Sequence, residues 1–230
     1  MGWAGDNGIR AICFDIDGTF YPKWQTNLYL LRSALRHPVF SMKYNSMRQA
    51  LRSADGTDGG QAMDLESFRR REMETMGFKG SFEDYMECYQ RFMLAPWERN
   101  MGFLKPFDHV KESLEKARAQ GYLLAALSDF PLSDKLSILG LDGLFDYEMS
   151  TEDCGHLKPS RIPFLVMLSA LGVEPSQALY VGDSYRKDVV GASSVGMRSL
   201  WIRKGARREG HPLADLVLTT WESFATMVLD

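Results

Sequence analysis

The chain has 230 residues, 45% of them hydrophobic and 25% charged, the mix of a globular protein with one large domain or a core carrying a smaller one. A net charge of -3 at pH 7 excludes bulk electrostatic attraction to nucleic acid or to an acidic membrane, so any substrate anion needs a local site. The cysteines Cys13, Cys88 and Cys154 have no paired spacing, no apolar run reaches the length of a membrane span, and MGWAGDNGIR lacks the apolar core of a signal peptide, so the expectation is a cytoplasmic protein with neither nucleic-acid nor membrane partners.

In chain order, the first strand-like run is RAICFD (10–15), nearly all apolar, as a strand covered on both faces should be. Residues 23–105 change style. Met, Arg, Leu and aromatics recur at helical spacing, which predicts a helical insertion with helices over 26–52, 63–76, 81–94 and 97–103. SADGTDGGQ (53–61) reads as a connector; a calcium loop counted from Asp55 would put Gly59 and Met63 where ligands belong. Beyond 105, helices and strands alternate. HVKESLEKARAQG (109–121) and SRIPFLVMLSALG (160–172) are helices stopped by glycine. YLLAALSD (122–129), DYEMST (146–151), ALYVGD (178–183), RSLWIR (198–203) and DLVLTT (215–220) are strands. This alternation predicts an α/β protein with a parallel sheet, its core at 1–22 and 106–230 and a smaller helical domain at 23–105.

Four short constellations carry chemistry. Asp15 and Asp17 in FDIDGTF stand at the end of the first strand, where open parallel sheets gather ligands. Asp-Gly is also a turn signal, but a turn does not explain a second carboxylate two residues earlier. Paired acids are tolerated around a cation, or with one of them protonated. An ionised carboxylate can attack phosphorus while a protonated neighbour serves the leaving oxygen. Ser128 ends the second strand in ALSDF, and its hydroxyl and the following N–H groups can bind an anion; an ordinary helix start reads the same way. Lys158 precedes Pro159, a residue able to open a helix, and could balance a carboxylate and a phosphate together. In LYVGDSYRKD, Asp183 stands at another strand end, Ser184 can cap a helix, and Asp188 is a first-turn acid. Asp15 and Asp183 would supply the oxygen ligands that Mg²⁺ prefers. Cys154 and His156, without a second pair, read as structural.

In order and spacing these four resemble the motifs of the haloacid dehalogenase superfamily: Asp15-Ile16-Asp17-Gly18-Thr19, then Ser128, then Lys158-Pro159, then Gly182-Asp183-Ser184 with Asp188. The resemblance covers 9–22 and 106–220. It implies a Rossmann-like parallel sheet between helices, with residues 23–105 as a helical cap over the site. It implies Asp15 as nucleophile, forming an aspartyl-phosphate, and Asp17 as general acid and then base, its backbone carbonyl meeting Mg²⁺. Asp183 would be a further metal ligand and Asp188 a second ligand or an outer-shell orienter. Ser128, Asp129 and Lys158 would bind the transferring phosphoryl group. Phe20, Tyr21-Pro22 and Asp129 depart from the commoner residues of the family.

The activity so implied is Mg²⁺-dependent hydrolysis of a small phosphorylated metabolite. A phosphomutase, a 2-haloacid dehalogenase and a catalytically idle binding protein are the alternatives. The dehalogenase reaction needs neither metal nor the acid two residues on, so Asp17 and Asp183 count against it. Arg32, Arg36, Lys43, Arg48, Arg52 and Arg69-Arg70-Arg71 are candidate substrate contacts on the insertion, although charge runs are usually solvated helix faces. RKGARR (203–208) reads as a basic loop after a strand.

Overall fold

The structure, a computed structural model, describes residues 2–203 and 212–230, apart from the side chains of Leu28, Tyr29, Arg32 and Ser33. Most of the RKGARR loop and the side chain of Arg32 therefore lie outside the described residues. Six strands, β1 (Ala11–Asp15), β2 (Leu123–Ser128), β3 (Tyr147–Ser150), β4 (Ala178–Gly182), β5 (Arg198–Ile202) and β6 (Leu216–Leu218), form one parallel sheet in the order β3-β2-β1-β4-β5-β6. Each falls within a run read from the sequence. The chain builds from β1 toward one edge through β3, then returns beside β1 for β4 to β6. Strand order thus reverses between β1 and β4, and a crevice opens there at the carboxyl ends.

Among the described residues, six helices accompany the sheet: α1 (Trp3–Asp6) before it and α7 (Val110–Ala119), α8 (Lys135–Ile138), α9 (Arg161–Leu171), α10 (Val190–Ser194) and α11 (Trp221–Phe224) among and after the later strands. The period of two along a strand separates two cores. Ile12, Phe14, Leu124, Ala126, Leu179 and Val181 pack with Val110, Leu114, Trp221 and Phe224. Ala11, Cys13, Ala125, Leu127, Ala178 and Tyr180 pack with Phe164, Met167 and Ala192. The same parity puts Asp15 on the Cys13 face, the side from which the segment between β3 and α9 approaches.

Between β1 and β2 the chain is helical: α2 (Trp24–Arg36), α3 (Pro38–Asp55), α4 (Leu65–Met76), α5 (Phe82–Tyr89) and α6 (Ala95–Met101), with Gln90–Leu94 joining α5 to α6 as a wider π turn. The single helix expected over 26–52 is two. Pro38 has no N–H to continue a helix and disfavours helical geometry in the residue before it; His37 sits at φ -133°, ψ 59°, and α3 starts afresh. The helices expected over 81–94 and 97–103 run together instead, through the π turn at Gln90–Leu94, with helical backbone at Leu94 and Ala95 and Pro96 accommodated just beyond it. Tyr44, Met47, Leu51, Phe68, Tyr85 and Tyr89 form a small core of the insertion, closed by Leu157 from the sheet side. Asp55 pairs with Arg71 and lies 3.0 Å from His156 Nδ1, while His156 Nε2 meets the Gln61 carbonyl at 2.7 Å. The structural reading of His156 is thus matched by its contacts. No helix among the described residues is long and apolar enough to cross a membrane.

Candidate active site

Asp15 ends β1 with both oxygens engaged. Oδ1 accepts from Lys158 Nζ at 2.5 Å and Oδ2 from Thr19 Oγ1 at 2.9 Å. Thr19 is fixed in turn, since its carbonyl accepts from Trp221 Nε1 at 3.0 Å. Phe20, the departure from the family pattern, packs with Phe14 and Trp221 beneath the loop. Between the two acids and Thr19, Gly18 has φ +104°, and an added Cβ would collide with Lys23 and Asp183, so the tight turn needs glycine. Lys158 is buried, donates to Tyr180 Oη at 3.1 Å and lies 2.9 Å from Asp188 Oδ1. Ser160 caps α9 through its contact with the Ile162 N–H, so Pro159 precedes the cap and does not open the helix as expected. Burial, reinforced by the Asp188 and Asp17 charges against the pull of Lys158, pushes the Asp15 carboxyl up to about 6.

Asp17 has the opposite electrostatics. Ser128 Oγ donates to its Oδ2 at 2.7 Å, the Tyr21 hydroxyl donates to Oδ1, and Lys135 Nζ reaches Oδ1 at 3.1 Å and Oδ2 at 3.0 Å. Burial alone would raise its pKa, but Lys135 and these hydrogen bonds prevail and hold it below the usual carboxylate value. Ser128 also receives the Phe130 N–H, at 3.1 Å. Lys135 escapes sequence reasoning: it lies outside the four constellations, and SDFPLSDKL carries no signal that this lysine turns inward. Tyr21 was visible only as a departure from the family.

Asp183 follows β4. It forms a carboxylate cluster with Asp15 and Asp188 in which one oxygen of each lies within 4.8 Å of the others; it is the cluster of this kind found among the described residues. Asp188 Oδ2 accepts the Ser184 N–H at 2.9 Å, and Ser184 caps the turn that carries Asp188, so both readings of that stretch hold together. Gly182 is small for a reason: a Cβ there would strike the Asp188 carboxylate. Burial and the Asp15 charge raise the Asp183 pKa against Lys23, whose Nζ lies 2.6 Å from Oδ2 and 2.8 Å from Oδ1. With Asp15 and Asp183 both raised, this all-oxygen donor set suits a hard divalent cation. Asp17 is not one of the three; its side chain is occupied by Tyr21, Ser128 and Lys135.

The Asp129 carboxylate faces Arg52 and Lys187, each at 3.1 Å, and accepts the Lys158 N–H at 3.2 Å. It joins the insertion to the sheet. Burial opposes its ionisation, yet the cations around it hold it well below the usual range. The arginines of the insertion divide. Arg48 and Arg69 are buried and pair with Glu72 and Glu152, Arg70 pairs with exposed Glu66, and Arg36 and Lys43 are exposed. Ser128, Lys135 and Lys158 have almost no exposed surface, whereas Lys23 and Asp183 border a cavity of about 650 Å³ together with Gly18, His109 and Trp221. That cavity is the open side of the site.

Comparison with known proteins agrees with this geometry. The sequence profile of haloacid dehalogenase-like hydrolases matches residues 12–202. A glyceraldehyde 3-phosphate phosphatase of Methanopyrus kandleri is 27% identical over 90% of this chain and 89% of its own length. A phosphoglycolate phosphatase of Aquifex aeolicus is 30% identical over 76% of each chain. The crystal structure of a HAD phosphatase from Thermococcus onnurineus superposes with a TM-score of 0.63 at 26% identity, covering 95% of this chain and 97% of that one.

Proposed function

The chain belongs to the haloacid dehalogenase-like hydrolases, and from that membership we propose that it is a Mg²⁺-dependent phosphomonoester hydrolase, working on a small phosphorylated metabolite through an aspartyl-phosphate on Asp15, with the helical insertion as its cap. The observation that carries the reading is the position of Asp15: a carboxylate at the topological switch point, clamped by Lys158 and Thr19, with Asp183 and Asp188 beside it. The relatives named for glyceraldehyde 3-phosphate and phosphoglycolate support a small substrate.

In the first half-reaction an Asp15 oxygen attacks phosphorus and the bond from phosphorus to the leaving oxygen breaks. Asp17, ionised in the free protein and protonated once the charge of the bound phosphate opposes that ionisation, gives that oxygen its proton, and the alcohol departs. In the second half, water attacks phosphorus and surrenders a proton to Asp17. The bond from phosphorus to Asp15 breaks and phosphate leaves. Lys158 offsets charge on the transferring group from the Asp15 side, while Ser128, expected to bind that group, donates its hydrogen bond to Asp17. Asp15, Asp183, Asp188 and the Asp17 carbonyl would hold Mg²⁺, which when bound supplies further neutralisation of the phosphoryl oxygens.

The test is phosphate release from a panel of phosphorylated metabolites, beginning with phosphoglycolate and glyceraldehyde 3-phosphate, with Mg²⁺ and with chelator. Turnover that needs the metal is expected. Metal-independent chloride release from a 2-chloro acid, with no phosphate released from any ester, would transfer the chain to the dehalogenases.

A further inference from the structure

Lys135 is the second buried lysine of the site. Its side chain has no exposed surface, and its ammonium meets three acceptors: Asp17 Oδ1, Asp17 Oδ2 and Ser128 Oγ. The indole of Trp97, from α6 of the insertion, lies over it with the ring centre 5.0 Å from Nζ. Asp17 is its ion-pair partner among the described residues. A buried ammonium is costly unless it is paired and hydrogen-bonded, and here the compensation is directed at one carboxylate. With Tyr21 on Oδ1 and Ser128 on Oδ2, Lys135 completes a cage in which each Asp17 oxygen has two donors. The donors come from three places: the loop after β1, the end of β2 and the start of α8. Asp17 has little freedom to turn without breaking several of these contacts.

We propose that Lys135 is the positioning residue of Asp17, fixing the carboxyl group where, protonated beside the charge of a bound phosphate, it serves the leaving oxygen and, ionised again, takes a proton from water. This rests on the phosphatase reading above. Lys135 itself touches neither phosphorus nor the leaving group. It acts by denying Asp17 other rotamers, and the aromatic roof from the insertion ties that restraint to the closed arrangement of insertion and sheet.

The experiment compares the native enzyme with Lys135→Met and Lys135→Arg on two esters: an alkyl phosphate, whose leaving oxygen must be protonated, and dinitrophenyl phosphate, whose leaving group departs as the anion. Positioned proton transfer is worth about a hundredfold or more. Lys135→Met is therefore expected to lose that factor in kcat/KM on the alkyl ester and little on the dinitrophenyl ester, with Lys135→Arg recovering part of the loss. Equal losses on both esters, as a purely structural role would give, or no loss on either, would overturn the proposal. If the native protein cleaves neither ester, the phosphatase reading falls, and a crystal structure of either variant decides the positioning claim alone. An Asp17 carboxylate displaced from Ser128 and Tyr21 supports it, and an unmoved one overturns it.

Discussion

Asp15 and Asp17 are two residues apart and chemically unequal, and the cause is which lysine each one meets. Burial raises Asp15, and Lys158, which must also answer Asp188, does not bring it back down. Lys135 serves Asp17, and two hydroxyls assist it. At the edge of this set Lys23 sits across both oxygens of Asp183. That cation competes with any metal for the same carboxylate. Lys23→Met is expected to tighten Mg²⁺ binding by about two- to fivefold, the worth of a part-exposed ion pair. Titration calorimetry measures it without turnover, and unchanged or weaker affinity would show that Lys23 does not compete.

Among the elements, the segment between β3 and α9 holds the connector after α3 through a titratable histidine. His156 accepts or donates between Asp55 and the Gln61 carbonyl, and the hydrogen bond to Asp55 raises its pKa above the ordinary value against burial and Arg71. A raised histidine stabilises fully below its unfolded pKa of about 6.5, and that contribution is lost as pH rises through the folded value. The melting temperature is therefore expected to fall on alkalinisation from about pH 6 to about pH 8.5, with a smaller fall in His156→Gln. Equal slopes would remove the assignment. The elements also show what a sequence discloses. The central strands β1, β2 and β4 were legible because two-sided burial leaves apolar runs without interruption, and Asp15, Ser128 and Asp183 stood at or just past their ends. The breaks in the helices were less so: Pro38 divides one expected helix, while Pro96 divides nothing, since a proline's effect depends on where in a turn it falls. Lys135, Lys23 and the burial of Arg48 and Arg69 were not legible. Each depends on at least one partner 24 to 160 positions away, which local spacing does not show.

At the scale of the molecule, insertion and sheet meet over buried charge. Glu152, directly after β3, lies between Arg48 and Arg69 of the insertion; Glu72 faces the same two arginines, and the Asp129 carbonyl takes a further Arg48 N–H. Two cations and two anions cancel, so removing one leaves an uncompensated buried charge. Glu152→Ala is expected to lower stability by about 3–5 kcal/mol, read from urea unfolding followed by circular dichroism. A change under about 1 kcal/mol would mean that the network behaves as a surface cluster. The same seam brings Arg52 and Lys187 to Asp129 and Trp97 to Lys135, so residues of the insertion touch residues of the site.

The central claim is that Asp15 carries the phosphoryl group. The direct measurement is mass spectrometry of the enzyme, acid-quenched during turnover of a cleaved phosphomonoester with Mg²⁺, alongside phosphate release by Asp15→Asn. The account predicts a phosphoryl adduct on the peptide containing Asp15, and a folded Asp15→Asn protein that releases no phosphate. Undiminished release by Asp15→Asn, or an adduct carried by another residue, would contradict it.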